Sequence, residues 1–222
     1  MSQVTKIFFI RHGKTEWNLE GRYQGAKGDS PLLSESYKEI HQLCLFLQEY
    51  RFSRIYCSPI LRAKTTAETI AADLHQPLEV ESVASLREFN LGKMEGMKFS
   101  EVAKRYPREL DAFRHHAEKY DPSKINGETF NELFARMTPT IEKIAKLHAT
   151  KNENVLIVSH GAALCAEIRH LLGYPLKELR ANGGLANTST TILETSNGEE
   201  YKCLAWNKTD YLKRQLDASD IV

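Results

Sequence analysis

The sequence lacks nearly everything that staples or anchors a chain. Its 222 residues hold four cysteines, Cys44, Cys57, Cys165 and Cys203. None belongs to a CxxC pair, which argues against zinc ribbons and dithiol redox motifs. Charge of one sign is also missing: 30 Lys+Arg face 29 Asp+Glu, a formal net charge of +1. Such a chain has no global pull toward nucleic acid or an acidic membrane. The longest early apolar run, Ile7 to Ile10, stops at once on Arg11 and His12. It is too short for a signal-peptide core or a bilayer span. Internal repeats, the P-loop GxxxxGK[ST], the dinucleotide GxGxxG and the GxSxG elbow are all absent.

What is present suits a cytoplasmic enzyme or binding domain. Hydrophobic residues make up 41% and charged ones 27%, ordinary for a soluble globular chain. At this length folding buries about 70% of the unfolded surface, so neither disulfide nor metal is needed for stability. Cys57 and Cys165, among apolar neighbours, read as buried thiols in a reducing compartment.

Short apolar stretches alternate with helical periodicity. Strands are predicted at 4–10, 54–57, 154–159, 190–193 and 201–206, the last two joined by a Ser196-Asn197-Gly198 turn. Ser34 is predicted to cap a helix bearing Ile40, Leu43, Cys44 and Leu47. A second helix carries Ala63, Ala67, Ile70 and Leu74 and closes before Pro77. Thr129 and Glu132 have capping-box spacing before a long helix through Pro139. A last helix carries Leu164, Ile168 and Leu171 and stops at Gly173. The pattern predicts an α/β fold, a three-layer α/β/α sandwich with a mostly parallel central sheet. The polar stretch at about 85–124, broken by Pro107 and Pro122, reads as an insertion over the sheet edge in a single domain spanning 1–222.

Ligands of such sheets bind beyond the carboxyl ends of the strands. That rule selects Arg11-His12-Gly13, Ser58 to Arg62, and His160-Gly161. Two imidazoles and two guanidiniums meeting there suit a phosphate dianion, which Arg forks grip bidentately. A neutral imidazole is also a nucleophile. A carboxyl group is needed to protonate the leaving oxygen and then deprotonate water. Glu88 is the candidate, with Glu95 nearby as the alternative.

The segment Arg11-His12-Gly13-Lys14-Thr15-Glu16-Trp17-Asn18 resembles the RHG motif of the histidine phosphatase superfamily, which includes the cofactor-dependent phosphoglycerate mutases. Gly21 to Gly25, Leu32-Leu33-Ser34, Cys57-Ser58-Pro59 with Arg62, Leu86-Arg87-Glu88 and Val158-Ser159-His160-Gly161 extend the resemblance in the same order. The resemblance implies a phosphoglycerate mutase-like fold in which His12 becomes a phosphohistidine. Arg11, Arg62 and a protonated His160 would hold the phosphoryl oxygens, and Glu88 would serve as acid and base. Asn18, Gln24, Gly25 and Gly161 would line the substrate site, with no metal or other cofactor.

Mutases of the family carry Tyr, Asn and Lys where this chain has Leu91, Lys98 and Phe99. They carry an Arg-Arg pair that this chain lacks, and Asn where it has Ala162. Phosphatase is therefore the expected activity, with a small phosphorylated molecule as substrate. A mutase, and a catalytically weak module that binds phospho-ligands or protein partners, are the alternatives. Oligomeric state stays open. His115 and His116 form either a basic lid or, more simply, a solvated helix face. His41, His75, His148 and His170 lack partners at ligand spacing and are expected to be structural or exposed.

Overall fold

Consecutive apolar side chains make a strand that is buried on both faces, and Ile7–Ile10 is such a run. In the computed structural model, which describes residues 4–180 and 183–221, it forms the middle of β1 (Thr5–Arg11). The chain continues through α1 (Glu16–Leu19), α2 (Ser34–Leu47), β2 (Phe52–Cys57), α3 (Leu61–Asp73) and β3 (Glu79–Ser82). Then come α4 (Phe99–Arg105), α5 (Pro107–His115), α6 (Phe130–Ala149), β4 (Asn154–Ser159), α7 (Gly161–Leu171), β5 (Thr190–Thr195) and β6 (Lys202–Lys208). Strand order is β3-β2-β4-β1-β5-β6. The first four strands run parallel, β5 runs against β1, and β6 against β5. The expected α/β sandwich with a mostly parallel sheet is present.

Alternation along the strands sorts the core into two layers. Phe8, Ile10, Ile55, Cys57, Leu156 and Val158 face α2 and α3. Ile7, Phe9, Tyr56, Val155 and Ile157 face the other way, toward α6 and α7. Pairing of Arg11 with Ser159, and of Cys57 with Val158, brings the carboxyl ends of β1, β4 and β2 to one level. Among the described residues no helix is long and apolar enough to cross a membrane.

Two local points differ from the structure. Leu33, not Ser34, is the N-cap of α2. Its N–H is tied to the Lys14 carbonyl at 2.9 Å, which fixes where the helix starts, and Ser34 instead donates to Glu35. The strand β3 has no counterpart in the reading above. It is a four-residue edge strand whose Glu79, Glu81 and Ser82 are exposed, so it carries no apolar signal.

The stretch at 85–124, read as a polar insertion, also supplies core side chains. Leu86, Phe89, Met94, Val102 and Phe113 join the core layer shared by α6, α7, Ile7 and Phe9. Pro107 breaks the helical run as expected, between the end of α4 at Arg105 and the start of α5, which it opens, a position where its missing N–H costs nothing. The capping box of Thr129 and Glu132 forms as expected, and α6 runs through Pro139. Gly173 ends the last helix in the left-handed conformation, φ 80°.

Candidate active site

The hydrogen-bond ladder carries past the strand ends. The His12 N–H donates to Ser159 O at 3.0 Å and the Ser58 N–H to Val158 O at 3.0 Å. This places His12, Ser58 and His160 side by side. The His12 Nδ1 lies 2.7 Å from the Gly13 carbonyl. A carbonyl only accepts, so the hydrogen sits on Nδ1 and the lone pair on Nε2. Arg62 Nε donates to that Nε2 at 3.2 Å. The fully buried His160 ring stands edge-on to His12, centroids 5.3 Å apart, with its Nε2 2.7 Å from Ser58 Oγ.

Both guanidiniums are locked. Arg62 reaches back from α3 to the carbonyls of Gly28 (2.8 Å) and Gly25 (2.9 Å) and to Asp29 (3.1 Å). Arg11 Nη1 donates to the carbonyls of Leu185 and Asp220. That C-terminal segment is strapped down by Asp220, which pairs with Lys14 at 3.2 Å and Arg214 at 2.6 Å. Among the described residues, Arg11 Nε and His160 Nδ1 are buried donors here with no partner. Native interiors seldom leave such donors unsatisfied, so a cluster of them marks a place for an acceptor.

Burial and the two guanidiniums push the pKa values of His12 and His160 well below that of a free imidazole. Burial also lowers Arg11, to about 10. Both shifts favour neutral rings, and the protonated His160 that the resemblance implies would draw its counter-charge from a bound phosphoryl group.

Glu88 and Glu95 have different surroundings. Glu88 Oε1 accepts from Phe89 N (2.9 Å) and Ala163 N (2.7 Å), and Oε2 accepts from Ala162 N (3.1 Å). It thus faces the first turn of α7 at the cleft. Glu95 holds a loop, accepting from the backbone N–H groups of Ala26, Lys27, Gly28 and Leu91. Gly25 has φ 65°, and a Cβ there would fall 2.3 Å from Glu95 Oε1. Only glycine fits that turn.

One cleft is lined by Arg11, His12, Asn18, Gln24, Gly25, Arg62, Glu88 and Gly161. His160 sits against His12 without lining it. Gln24 is spent on neighbours, donating to Thr15 at 2.8 Å and accepting from Ser30 at 3.1 Å. Asn18 Oδ1 accepts from Thr15 N and Oγ1. Arg22, Tyr23, Leu91, Phe113 and Ala162 complete the lining. Of these Phe113 lay outside every motif, yet Val102, Tyr106, Leu110 and Phe113 repeat at helical spacing, a legible signal. The supporting Asn187, whose Nδ2 donates to His12 O at 3.1 Å, carries none.

A larger cavity of about 730 Å³, between β2 and α6, contains none of these residues. Its buried His148 is bonded to Tyr56 and Glu153, a structural histidine as expected. His115 and His116 are exposed, as on a solvated helix face. Among the described residues no group of three or more His, Cys, Asp or Glu is placed to hold a metal ion.

Residues 7–209 match the family described as the histidine phosphatase superfamily (branch 1). The chain belongs to this family and is an enzyme of its phosphatase type. It is 34% identical over 170 residues to a Bacillus subtilis protein named uncharacterized phosphatase PhoE, spanning 77% of this chain and 79% of that one. It is 31% identical over 212 residues to the metal-independent phosphoserine phosphatase of Arabidopsis thaliana, spanning 95% and 84%. The structure of Bacillus stearothermophilus YhfR matches with a TM-score of 0.85 at 29% identity, covering 94% of this chain and 100% of that one. Other relatives carry phosphoglycerate mutase names.

Proposed function

We propose that this protein hydrolyses a small phosphomonoester in two steps through a phosphohistidine on His12. In the first step His12 Nε2 bonds to phosphorus while the ester P–O bond breaks and Glu88 passes a proton to the leaving oxygen. In the second, Glu88 takes a proton from water, the water oxygen bonds to phosphorus, and the N–P bond breaks to release phosphate. The observation that carries this reading is the fixed His12 tautomer, Nδ1 on Gly13 and Nε2 toward Arg62. A buried, neutral imidazole with its lone pair directed at a guanidinium is ready for a phosphoryl group held by that guanidinium.

Arg11, Arg62 and His160 bind the phosphoryl oxygens and stabilise charge in the transition state. When Ser58 donates to His160 Nε2, the ring's hydrogen sits on Nδ1, a donor with no other partner. Asn18, Gln24, Gly25 and Gly161 shape the pocket. The guanidiniums supply the positive charge that a metal supplies elsewhere, so a chelator should leave turnover unchanged. Hydrolysis is favoured over mutase action because Leu91 stands where mutases of the family carry Tyr, and Leu91 and Phe113 make part of the cleft wall apolar, beside Arg22. The stretch at 85–124 contributes that wall and is the part that selects the substrate. The free thiols Cys44, Cys57, Cys165 and Cys203 fit a cytoplasmic setting.

The test is a panel of phosphomonoesters assayed by phosphate release with wild type and His12→Ala, plus quench-trapping of ³²P-labelled enzyme. Turnover should need His12, and the label should be acid-labile and alkali-stable. Undiminished turnover by His12→Ala would refute the mechanism; efficient interconversion of 2- and 3-phosphoglycerate would replace phosphatase by mutase.

A further inference from the structure

Arg136, on α6, does not line the cleft, yet every hydrogen of its guanidinium is committed around Glu88. Nε donates to Glu128 Oε1 at 2.6 Å. Nη1 donates to the carbonyls of Ser85 and Arg87. Nη2 donates to Glu128 Oε2 at 2.9 Å and to the Glu88 carbonyl at 3.1 Å. A guanidinium has five N–H donors in a rigid fork, and here five acceptors take them. Glu128 completes the grip, since its Oε2 accepts from Asn90 N at 3.2 Å and its own N–H donates to Asn90 O at 2.7 Å. The backbone is thus held on both sides of Glu88.

We propose that Arg136, braced by Glu128, is the positioning residue that aims the Glu88 carboxyl group at the leaving oxygen. This inference rests on the reading of Glu88 as proton donor. Among the described residues the Glu88 side chain is itself bonded to backbone N–H groups, those of its own neighbour Phe89 and of the first turn of α7. Its reach into the cleft is therefore set by two frames, the start of α7 and the carbonyls that Arg136 holds. Lysine offers three donors at a point and cannot span three carbonyls and a carboxylate together. Looser carbonyls would let the carboxyl group swing, and proton transfer is sensitive to displacements well under the length of a hydrogen bond.

The experiment compares kcat/KM for an alkyl phosphate, whose leaving oxygen needs a proton, with that for 2,4-dinitrophenyl phosphate, whose leaving group departs without one. Wild type, Glu88→Gln, Arg136→Gln and Arg136→Lys are measured, each with a thermal melt. Glu88→Gln should lose on the order of 100-fold or more with the alkyl ester and little with the dinitrophenyl ester. Both Arg136 variants should show the same selectivity in weaker form, about 10-fold to 50-fold against less than about threefold. An equal loss with both esters, or no loss, overturns the role of Arg136. Absence of selectivity in Glu88→Gln overturns the reading of Glu88 first and this inference with it. Should Arg136→Gln fail to fold, Arg136→Lys, which keeps the charge, carries the decision.

Discussion

A methyl group added at Gly161 would lie 2.8 Å from Arg11 Nε and 3.1 Å from its Cζ. The end of an arginine usually swings away from such a contact. Here the side chain is 2% exposed and its Nη1 is held by two carbonyls, so relief requires the guanidinium itself to retreat. The shift needed is about 0.6 Å, and a displacement of that order at a reacting centre costs about 10- to 100-fold in kcat/KM, or roughly 1.4–2.7 kcal/mol. Stability should change little. Gly161 is the first residue of α7 and its φ is not left-handed, so the helix preference of alanine, at most about 1 kcal/mol, offsets the loosened Arg11 hydrogen bonds, each worth about 1 kcal/mol. For a chain of this size that is a Tm within about 2–4 °C of wild type. The assay pairs phosphate release with a calorimetric melt. Activity within about threefold of wild type, or a loss that tracks a fall in Tm, would show that the Arg11 position does not control the chemistry.

The depressed His12 and His160 pKa values mean that below pH 6.5 the unfolded chain binds protons that the native one refuses. Stability should then fall by about 1.4 kcal/mol per pH unit for each ring. Denaturant titrations between pH 6.5 and 5 should show a shallower slope in His160→Asn, and an unchanged slope would contradict the shift. Glu167, buried between α6 and α7 on Thr138, has its pKa raised to about 8 by burial. Native-state protonation is therefore lost as pH rises, and Glu167→Gln should gain a few kcal/mol at pH 8 relative to pH 5; equal effects at both pH values would contradict this. Glu95→Gln leaves donors of the Gly25–Gly28 loop unpaired and should cost about 2–3 kcal/mol, with equal losses for good and poor leaving groups. A loss confined to poor ones would return Glu95 to candidacy as the acid.

The parallel core was legible because its strands are uninterrupted apolar runs, and the site followed from where those runs end. Arg11, His12 and His160 each stand at such an end. Spacing to Gly92 and Gly96, with Leu86 before it, favoured Glu88 over Glu95, and the backbone partners of the two carboxylates divide them further. The segment holding α4 and α5 carries a helical repeat, but its place over the site left no mark, because aromatic anchors such as Phe89, Phe113 and Phe130 meet only in three dimensions. The groups holding Arg11 are backbone carbonyls, which leave no mark in a sequence.

The contact between Arg11 and the carbonyl of Asp220 joins positions 209 apart. A nascent chain that has reached the end of β6 already contains His12, His160, Arg11, Arg62 and Glu88, yet lacks one of the two carbonyls that hold its first guanidinium. The anion pocket is thus completed by a segment that performs no chemistry, and a change that moves Asp220 would be felt at Arg11.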